Sequence, residues 1–452
     1  MSAPAAARRT DPAALPPGPN FPMWLSTLLW QFRFSEFATF CHRRYGNYYT
    51  LHLPVSRDLV AVSDPEAIRT VFADRGERTH AGEGNSILEP ILGRNSLLTL
   101  DGPEHTRQRR LVHPPFHGAR MQGYVETIRE VTNGVVDEWP VDQVFALRDS
   151  TQSLTLKVIL RTVFGLVEGQ RMAHVERLIQ KVTAPASTPL GVLALLQRDL
   201  GPLRVWSNFL RDRELLDRAL YAEIAVRRES ADVAERDDIL SILLLARDEA
   251  GEPMSDVELR DELMTLLLAG HETTATALAW FFDLVLHHPP VLERLVAEAA
   301  TAQTIYLDAA ISETLRLRPV VAMVARKLQE DMQVGQHVLP RGTVVAPNIF
   351  LTHRRADLYP DPLAFRPERF LEERVETYSW LPFGGGIRRC VGADFALMEM
   401  RVAIPEILRR VDLAAADPRM ERIRRRAVTL VPAHGTRVVV RRKAPRVDPD
   451  TA

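Results

Sequence analysis

The sequence predicts a mainly α protein of the α+β class, and three observations predict it. Apolar residues recur at helical spacing through most of the chain between 124 and 317. Alternating, strand-like runs are confined to 48–62, before that helical region, and to 324–440, after it. No Ser/Gly-rich linker, charge block or repeat divides the 452 residues. One large core is therefore expected, although length alone suggests several domains.

Taken in order, residues 1–25 form a Pro/Ala-rich N-terminal segment. A helix over 35–45 closes at Gly46, strands over 48–53 and 59–62 follow, and Ser63-Asp64 caps a helix over 65–73. Residues 79–100 mix glycine and asparagine with Ile87, Leu88, Ile91, Leu92, Leu97 and Leu98. Long apolar loops of this kind usually cover something. Helices are predicted over 124–139, 154–164, 171–182, 205–228 and 239–247. Between 183 and 202 an apolar stretch centred on 189–196 is either a mobile lid or a packed connector. A long helix spans 256–287, and two more cover 291–300 and 307–317. Strands over 324–328, 333–338 and 343–350 lead to a last helix ending near 410. Strands 428–431 and 437–440 are expected to pair, and 441–452 is a charged, frayed tail.

Composition excludes several classes. The formal net charge of −1 provides no basic field for nucleic acid. Two cysteines, Cys41 and Cys390, cannot build a disulfide framework and suit a reducing compartment. The apolar run 21–32 is short and broken by Pro22 and Gln31, so neither a signal peptide nor a transmembrane anchor is expected. A soluble, cytoplasmic protein follows.

The chemistry gathers around Cys390. The stretch Phe383-Gly384-Gly385-Gly386-Ile387-Arg388-Arg389-Cys390-Val391-Gly392 sets a thiol between a glycine-rich turn and a helix start. Glycine permits positive φ or close approach of a flat object. The helix N-terminus and the arginines favour thiolate. A thiolate under a flat surface suggests an axial haem ligand. A glycine-rich turn with a structural cysteine is the alternative.

A second polar group, Ala269-Gly270-His271-Glu272-Thr273-Thr274, interrupts the long apolar helix. The small pair Ala269-Gly270 leaves room for a flat ligand, and a carboxylate beside a hydroxyl can relay protons. A kinked helix with a satisfied notch is the alternative. A zinc-protease motif is excluded, because position 275 is Ala where a second His is needed. Glu313 and Arg316 share one helix face at i, i+3, and His105 and Arg109 stand one turn apart.

The Cys390 stretch closely resembles the haem-binding signature of the cytochrome P450 family. The resemblance extends over about 15–440 and implies that family's helix-rich triangular prism with small sheets, a single haem-thiolate monooxygenase domain over 26–440. It implies haem b (iron protoporphyrin IX) on Cys390, within a loop including Phe383, Gly384 and Gly392. The haem propionates would fall to His105, Arg109, Arg326 and Arg388, with Ala269 and Gly270 flanking the cofactor. Thr273 and Glu272 match the oxygen-activating alcohol and acid. Arg369 matches the residue that locks Glu313 and Arg316. Ile87, Leu88, Leu98, Ala269, Val321, Ala322, Met323 and Thr429 would line an apolar pocket. The implied activity inserts one atom of O2 into a fatty acid, terpenoid or polyketide-like substrate. Electrons from NAD(P)H would arrive through a ferredoxin and ferredoxin reductase, or a flavodoxin, since no such domain is appended. Arg107, Arg110 and Arg389 are candidates for that docking face, and a monomer is expected. Peroxide-driven oxidation, coupling or isomerisation on the same fold, and a non-catalytic haem sensor, are the alternatives.

Overall fold

The structure is a computed structural model that describes residues 15–54, 56, 58–166, 169–183, 199, 204–301, 303–372 and 375–445. The predicted apolar stretch 189–196 lies outside them. Near the N-terminus come α1 (Met23–Phe32), α2 (Phe34–Tyr45), β1 (Tyr48–Leu51), β2 (Leu59–Val62), α3 (Pro65–Ala73) and β3 (Thr79–His80). The Asp64 carboxylate accepts from the Ala67 N–H at 3.0 Å and so caps α3. Residues 81–92 hold three short turns of helix rather than one.

The helical body comprises α4 (Gly102–Val112), α5 (Gln122–Asp137), α6 (Leu147–Phe164, preceded by β4, Val144–Ala146), α7 (Gln170–Thr183), α8 (Val205–Arg228), α9 (Ile239–Leu245), α10 (Asp256–Leu286), α11 (Pro289–Ala299) and α12 (Ile305–Leu317). A capping box starts α10, in which Ser255 and Glu258 bond each other's backbone N–H groups. Trp280, Phe281 and Phe282 near its other end have no accessible surface. The core forms where α10 packs between α6 and the last helix, α13 (Ala393–Arg410).

A five-stranded sheet sits beside this body, in the order β1-β2-β8-β5-β3, with β5 at Arg326–Leu328 and β8 at Val344–Pro347. Between them β6 (Met332–Val334) and β7 (His337–Leu339) form a hairpin. The single strand expected over 333–338 is thus two, reversed where Gly335 takes φ +59°. The expected pairing of 428–431 with 437–440 also fails. β11 (Thr429–Pro432) pairs with β10 (Ile423–Arg426), whereas β12 (Arg437–Lys443) pairs with β4 and β9 (Val411–Ala415). Adjacent strands in sequence lie in different sheets because Gly435, at φ +76°, turns the chain between them.

Both ends run past their predicted boundaries. α1 begins inside the segment assigned to 1–25, and β12 continues to Lys443, whose Nζ donates to the Asp137 and Trp139 carbonyls at 2.8 Å. The long helix is not interrupted at 269–274 either: α10 is helical throughout. Its backbone is bonded sideways from α6, where Thr155 Oγ1 donates to the His271 carbonyl and Thr151 Oγ1 to that of Ala275, both at 2.9 Å.

One buried ionic cluster fixes α12 to the segment before the cysteine loop. Glu313 receives Arg316 through Nε at 2.6 Å and Nη2 at 2.8 Å, Arg369 Nε at 3.0 Å, and the Arg366 N–H at 2.9 Å. Arg316 also donates to the carbonyls of His353, Pro362 and Ala364, and Arg369 to that of Pro360. Glu313→Ala leaves two buried guanidiniums without their carboxylate, and a loss of roughly 3–5 kcal/mol in urea unfolding is expected.

Candidate active site

The cysteine loop is shaped by what it touches. Gly384 and Gly386 take φ +68° and +65°. A Cβ on Gly385 would sit 2.4 Å from Cδ2 of Phe72, and one on Gly386 would sit 2.2 Å from the Phe72 carbonyl oxygen. The flat object packed against this glycine run is therefore the Phe72 ring of α3. The Cys390 N–H donates to the Phe383 carbonyl at 2.9 Å, closing the turn. Behind it, His353 accepts from the Leu381 N–H through Nε2 at 2.7 Å, which leaves Nδ1–H to donate to the Arg316 carbonyl at 3.1 Å. This histidine has no accessible surface, and burial depresses its pKa to about 3. It joins the Glu313 cluster to the cysteine loop, a link that residue spacing does not reveal.

Cys390 has accessible surface, yet burial is the largest influence on its thiol and pushes the pKa up. The two observations agree if the sulfur faces an enclosed interior space rather than bulk solvent. The Gly392 N–H, Arg389 and Arg109 pull the other way. The expected thiolate preference is thus outweighed by desolvation in the protein alone. A bound cation reverses that balance, because a ligating thiol is deprotonated.

Above the loop, positive charge converges. His105 is buried, its Nδ1 has no hydrogen-bond partner, and its pKa falls to about 3 through burial and then through Arg388, Arg109 and Arg326. Arg326 is itself buried and lowered to about 10, and among the described residues its one side-chain hydrogen bond goes to the adjacent Ala325 carbonyl. Among the described residues Arg109 makes no side-chain hydrogen bond; burial lowers its pKa, and the Cys390 charge opposes that shift. Arg388 Nη2 meets Asp101 Oδ1 at 2.5 Å, and Nη1 donates to the Leu97 carbonyl at 3.0 Å. Asp101 also holds the N–H groups of Gly82 and Glu83. Sequence reasoning missed this aspartate, which precedes α4 in a surface-like Asp-Gly-Pro. One carboxylate against three guanidiniums leaves room for further anionic oxygens. Buried cations with a partnerless imidazole beside an inward-facing thiol fit the carboxylates and the iron of a haem.

Ala269 is exposed in the middle of an otherwise buried stretch of α10, and Thr273, one turn on, donates from Oγ1 to its carbonyl at 2.6 Å. Gly270 points elsewhere: a Cβ there would lie 2.6 Å from Cδ1 of Ile159, so this glycine serves the α6–α10 packing and not a flat ligand. Glu272 is ion-paired to Arg148, accepts from Gln152, and has Arg426 at 3.8 Å. His271 is buried with Nδ1 on the Leu267 carbonyl at 2.8 Å and is not poised as a ligand. Glu399 of α13 is wholly buried, and burial pushes its carboxyl up to about 8. An acid on the inner face of the last helix was its only signal in sequence.

The predicted substrate wall is partly assembled. Val321 and Thr429 meet in a β-bridge, and β11 is tied to α10 by Trp280 Nε1 donating to the Leu430 carbonyl at 2.9 Å. Ile87, Leu88 and Leu98 are half-buried. Their loop is pinned to α10 where the Leu97 N–H donates to Glu262 at 2.7 Å and Ser96 meets Thr265 at 2.7 Å. Ala322 does not belong: it is buried in the cluster of Trp30, Phe34 and Phe350, against which Met323 also packs. Alternation along 321–323 explains why Val321 and Ala322 part company. Arg107 is likewise withdrawn from any docking face by ion pairs of 2.6 Å to both Asp248 and Glu258. Arg110 and Arg389 remain exposed.

Comparison with known proteins agrees with this geometry. The family profile described as Cytochrome P450 matches residues 16–438. A Mycobacterium tuberculosis protein named cytochrome P450 135B1 is 43% identical over 439 residues, covering 96% of this chain and 92% of its own. Another from that organism, named cytochrome P450 137, is 41% identical, covering 88% and 83%. Among solved structures, retinoic acid-bound cyanobacterial CYP120A1 superposes with a TM-score of 0.82 at 28% identity, over 94% of this chain and 99% of that one. The cytochrome P450DA heme domain, at 23% identity and a TM-score of 0.80, shares the fold.

Gly385→Ala must displace the Phe72 ring. A stability loss of roughly 1–3 kcal/mol is expected, measured by thermal unfolding, while an alanine at Gly392, where an added Cβ meets nothing within 4 Å, is expected to cost less.

Proposed function

This chain belongs to the cytochrome P450 family and is a monooxygenase by that membership; from there we propose that it oxidises an apolar small molecule, of isoprenoid, fatty-acid or polyketide-like character, at a haem b held by Cys390. The observation that carries this reading is the buried positive cluster of His105, Arg109, Arg326 and Arg388 beside the inward-facing Cys390 thiol. When bound, haem with a thiolate ligand supplies dioxygen binding, O–O cleavage and transfer of one oxygen atom.

The chain's own residues do the rest. Cys390 loses its proton on ligation, and the Gly392 N–H and Arg109 then stabilise the sulfur charge. Arg109, Arg326 and His105 Nδ1 take the cofactor's carboxylates, with Arg388 shared between them and Asp101. Ala269 keeps α10 open, and the Thr273 hydroxyl, freed from the Ala269 carbonyl, passes a proton into that space. Glu272 sits on the far side, where its carboxylate pairs with Arg148 and accepts from Gln152. Its role is to take protons from the surface as it rotates away from Arg148. Val321, Thr429, Ile87, Leu88 and Leu98 present no charge, which favours a substrate with few polar groups. The retinoic acid bound to the cyanobacterial relative, apolar along its length with one carboxyl group, supports that class.

We propose that a ferredoxin with its reductase, or a flavodoxin, supplies the electrons; within this sequence Cys41 is buried and Cys390 is the proposed haem ligand, so neither cysteine is offered to an iron–sulfur cluster. We place the enzyme in the cytoplasm as a monomer. Reconstitution with ferredoxin, reductase, NADPH and ¹⁸O2 tests the reading: one labelled oxygen in the product is expected, and product without label would reject it. Thr273→Ala should consume NADPH at a similar rate while product per NADPH falls by roughly ten-fold, less than the roughly 10²–10⁴-fold typical of a proton-transfer group because water can replace the hydroxyl in part.

A further inference from the structure

Helix α1 is built inside out. Its ten residues carry no charge. Polar Ser26 is 2% exposed, whereas Trp24 is 64% exposed and Phe32 56%. Trp24, Leu28 and Phe32 follow at i, i+4 and i+8, so they form one stripe, with Met23 beside it. An uncharged helix with large apolar side chains on more than one side ordinarily has those sides enclosed. Here only one side is, through Trp30, which meets Phe34 edge-on at 4.9 Å and lies beneath the Arg425 guanidinium at 4.6 Å. Among the described residues nothing covers the other.

Helix α2 also carries an exposed face. Exposed Phe40 stacks on Phe21 at 6.4 Å, and Arg43 and Arg44 follow it at i+3 and i+4. Arg33 stands between the helices. Glu36 is the one acid in 21–45 and is paired with Arg33 at 3.5 Å. Among the described residues Arg43 and Arg44 have no acidic partner. Apolar side chains bordered by unpaired cations complement a surface that is greasy within and negative at its edge.

We propose that α1 and the outer face of α2 dock this protein onto an anionic lipid bilayer. The Trp24–Leu28–Phe32 stripe enters the headgroup boundary, and Arg43 and Arg44 meet lipid phosphates. At ten residues α1 is too short to span, and no helix among the described residues is long and apolar enough to cross a membrane. Docking is peripheral. It would set β10, whose Arg425 covers Trp30 on the enclosed side of α1, and its partner β11, which carries Thr429, directly behind the docked helix. A lipid-dissolved substrate would then have a short path. That consequence rests on the proposed function; the docking itself does not.

Flotation of the haem-loaded protein with vesicles tests the proposal. Binding is expected to mixed phosphatidylcholine–phosphatidylglycerol vesicles, and weaker binding to phosphatidylcholine alone or in high salt. Trp24→Ser, Leu28→Ser and Phe32→Ser together should weaken binding roughly ten-fold or more, with an unchanged thermal midpoint as the folding control. Arg43→Gln with Arg44→Gln should weaken it a few-fold and remove the salt dependence. Failure of the parent protein to float, or flotation of the triple variant as well as the parent, would overturn the proposal. So would a dimer in light scattering that the triple variant dissolves and vesicles do not, since the face would then belong to a second copy. Flotation reads binding without turnover, so a wrong substrate class leaves this result interpretable.

Discussion

Glu313 has no accessible surface, and the segment leading into the cysteine loop depends on its two oxygens. Arg316 comes from its own helix, while Arg369 and the Arg366 N–H come from the segment that leads into the loop. An ion cluster this deep contributes little net stability against an apolar replacement. What it contributes is position. The guanidiniums spend their remaining donors on backbone carbonyls of Pro360, Pro362, Ala364 and His353, which have no partner in regular secondary structure. His353 then carries the constraint to Leu381, and the turn closes at Phe383 and Cys390.

A second electrostatic arrangement lies on the opposite side of the cysteine loop, and its balance is different. The Glu313 cluster is satisfied internally. His105, Arg109, Arg326 and Arg388 are not, having Asp101 as their carboxylate partner and a buried imidazole nitrogen without one. Burial of unmatched charge is costly and is retained where a ligand completes it. On the proposed function, one ionic cluster fixes the sulfur and the other would receive an anionic cofactor edge. Both grip the same loop, the first through His353 and the second through Arg388.

Much of this was legible in the sequence, and the misses have physical causes. Cys390, the glycines, Glu313 with Arg316, and Arg369 occupy contiguous or regularly spaced positions, so pattern alone brings them together. Helix α8 matches its expected bounds of 205–228 because its ends coincide with changes in periodicity. Strand partners were harder. Thr429–Pro432 and Arg437–Lys443 look like a hairpin, yet Gly435 sends them to different sheets, and pairing over 290 residues of separation leaves no local trace. Gly270 and Ala322 were misread for a related reason. Small residues beside a site look alike in sequence, whether they face the ligand or a neighbouring helix, and only the packing of Ile159 or Trp30 decides. Asp101 and His353 act through contacts distant in sequence and carry no motif of their own.

The account stands on the claim that Cys390, protonated when buried alone, becomes a thiolate ligand to haem iron. The most direct measurement is the absorption spectrum of the reduced protein under carbon monoxide. The strongly red-shifted Soret band of thiolate ligation is predicted for the parent protein and its absence for Cys390→His. A parent spectrum with the unshifted band of a histidine- or thiol-ligated haem, or a Cys390→His spectrum identical to the parent, would contradict it.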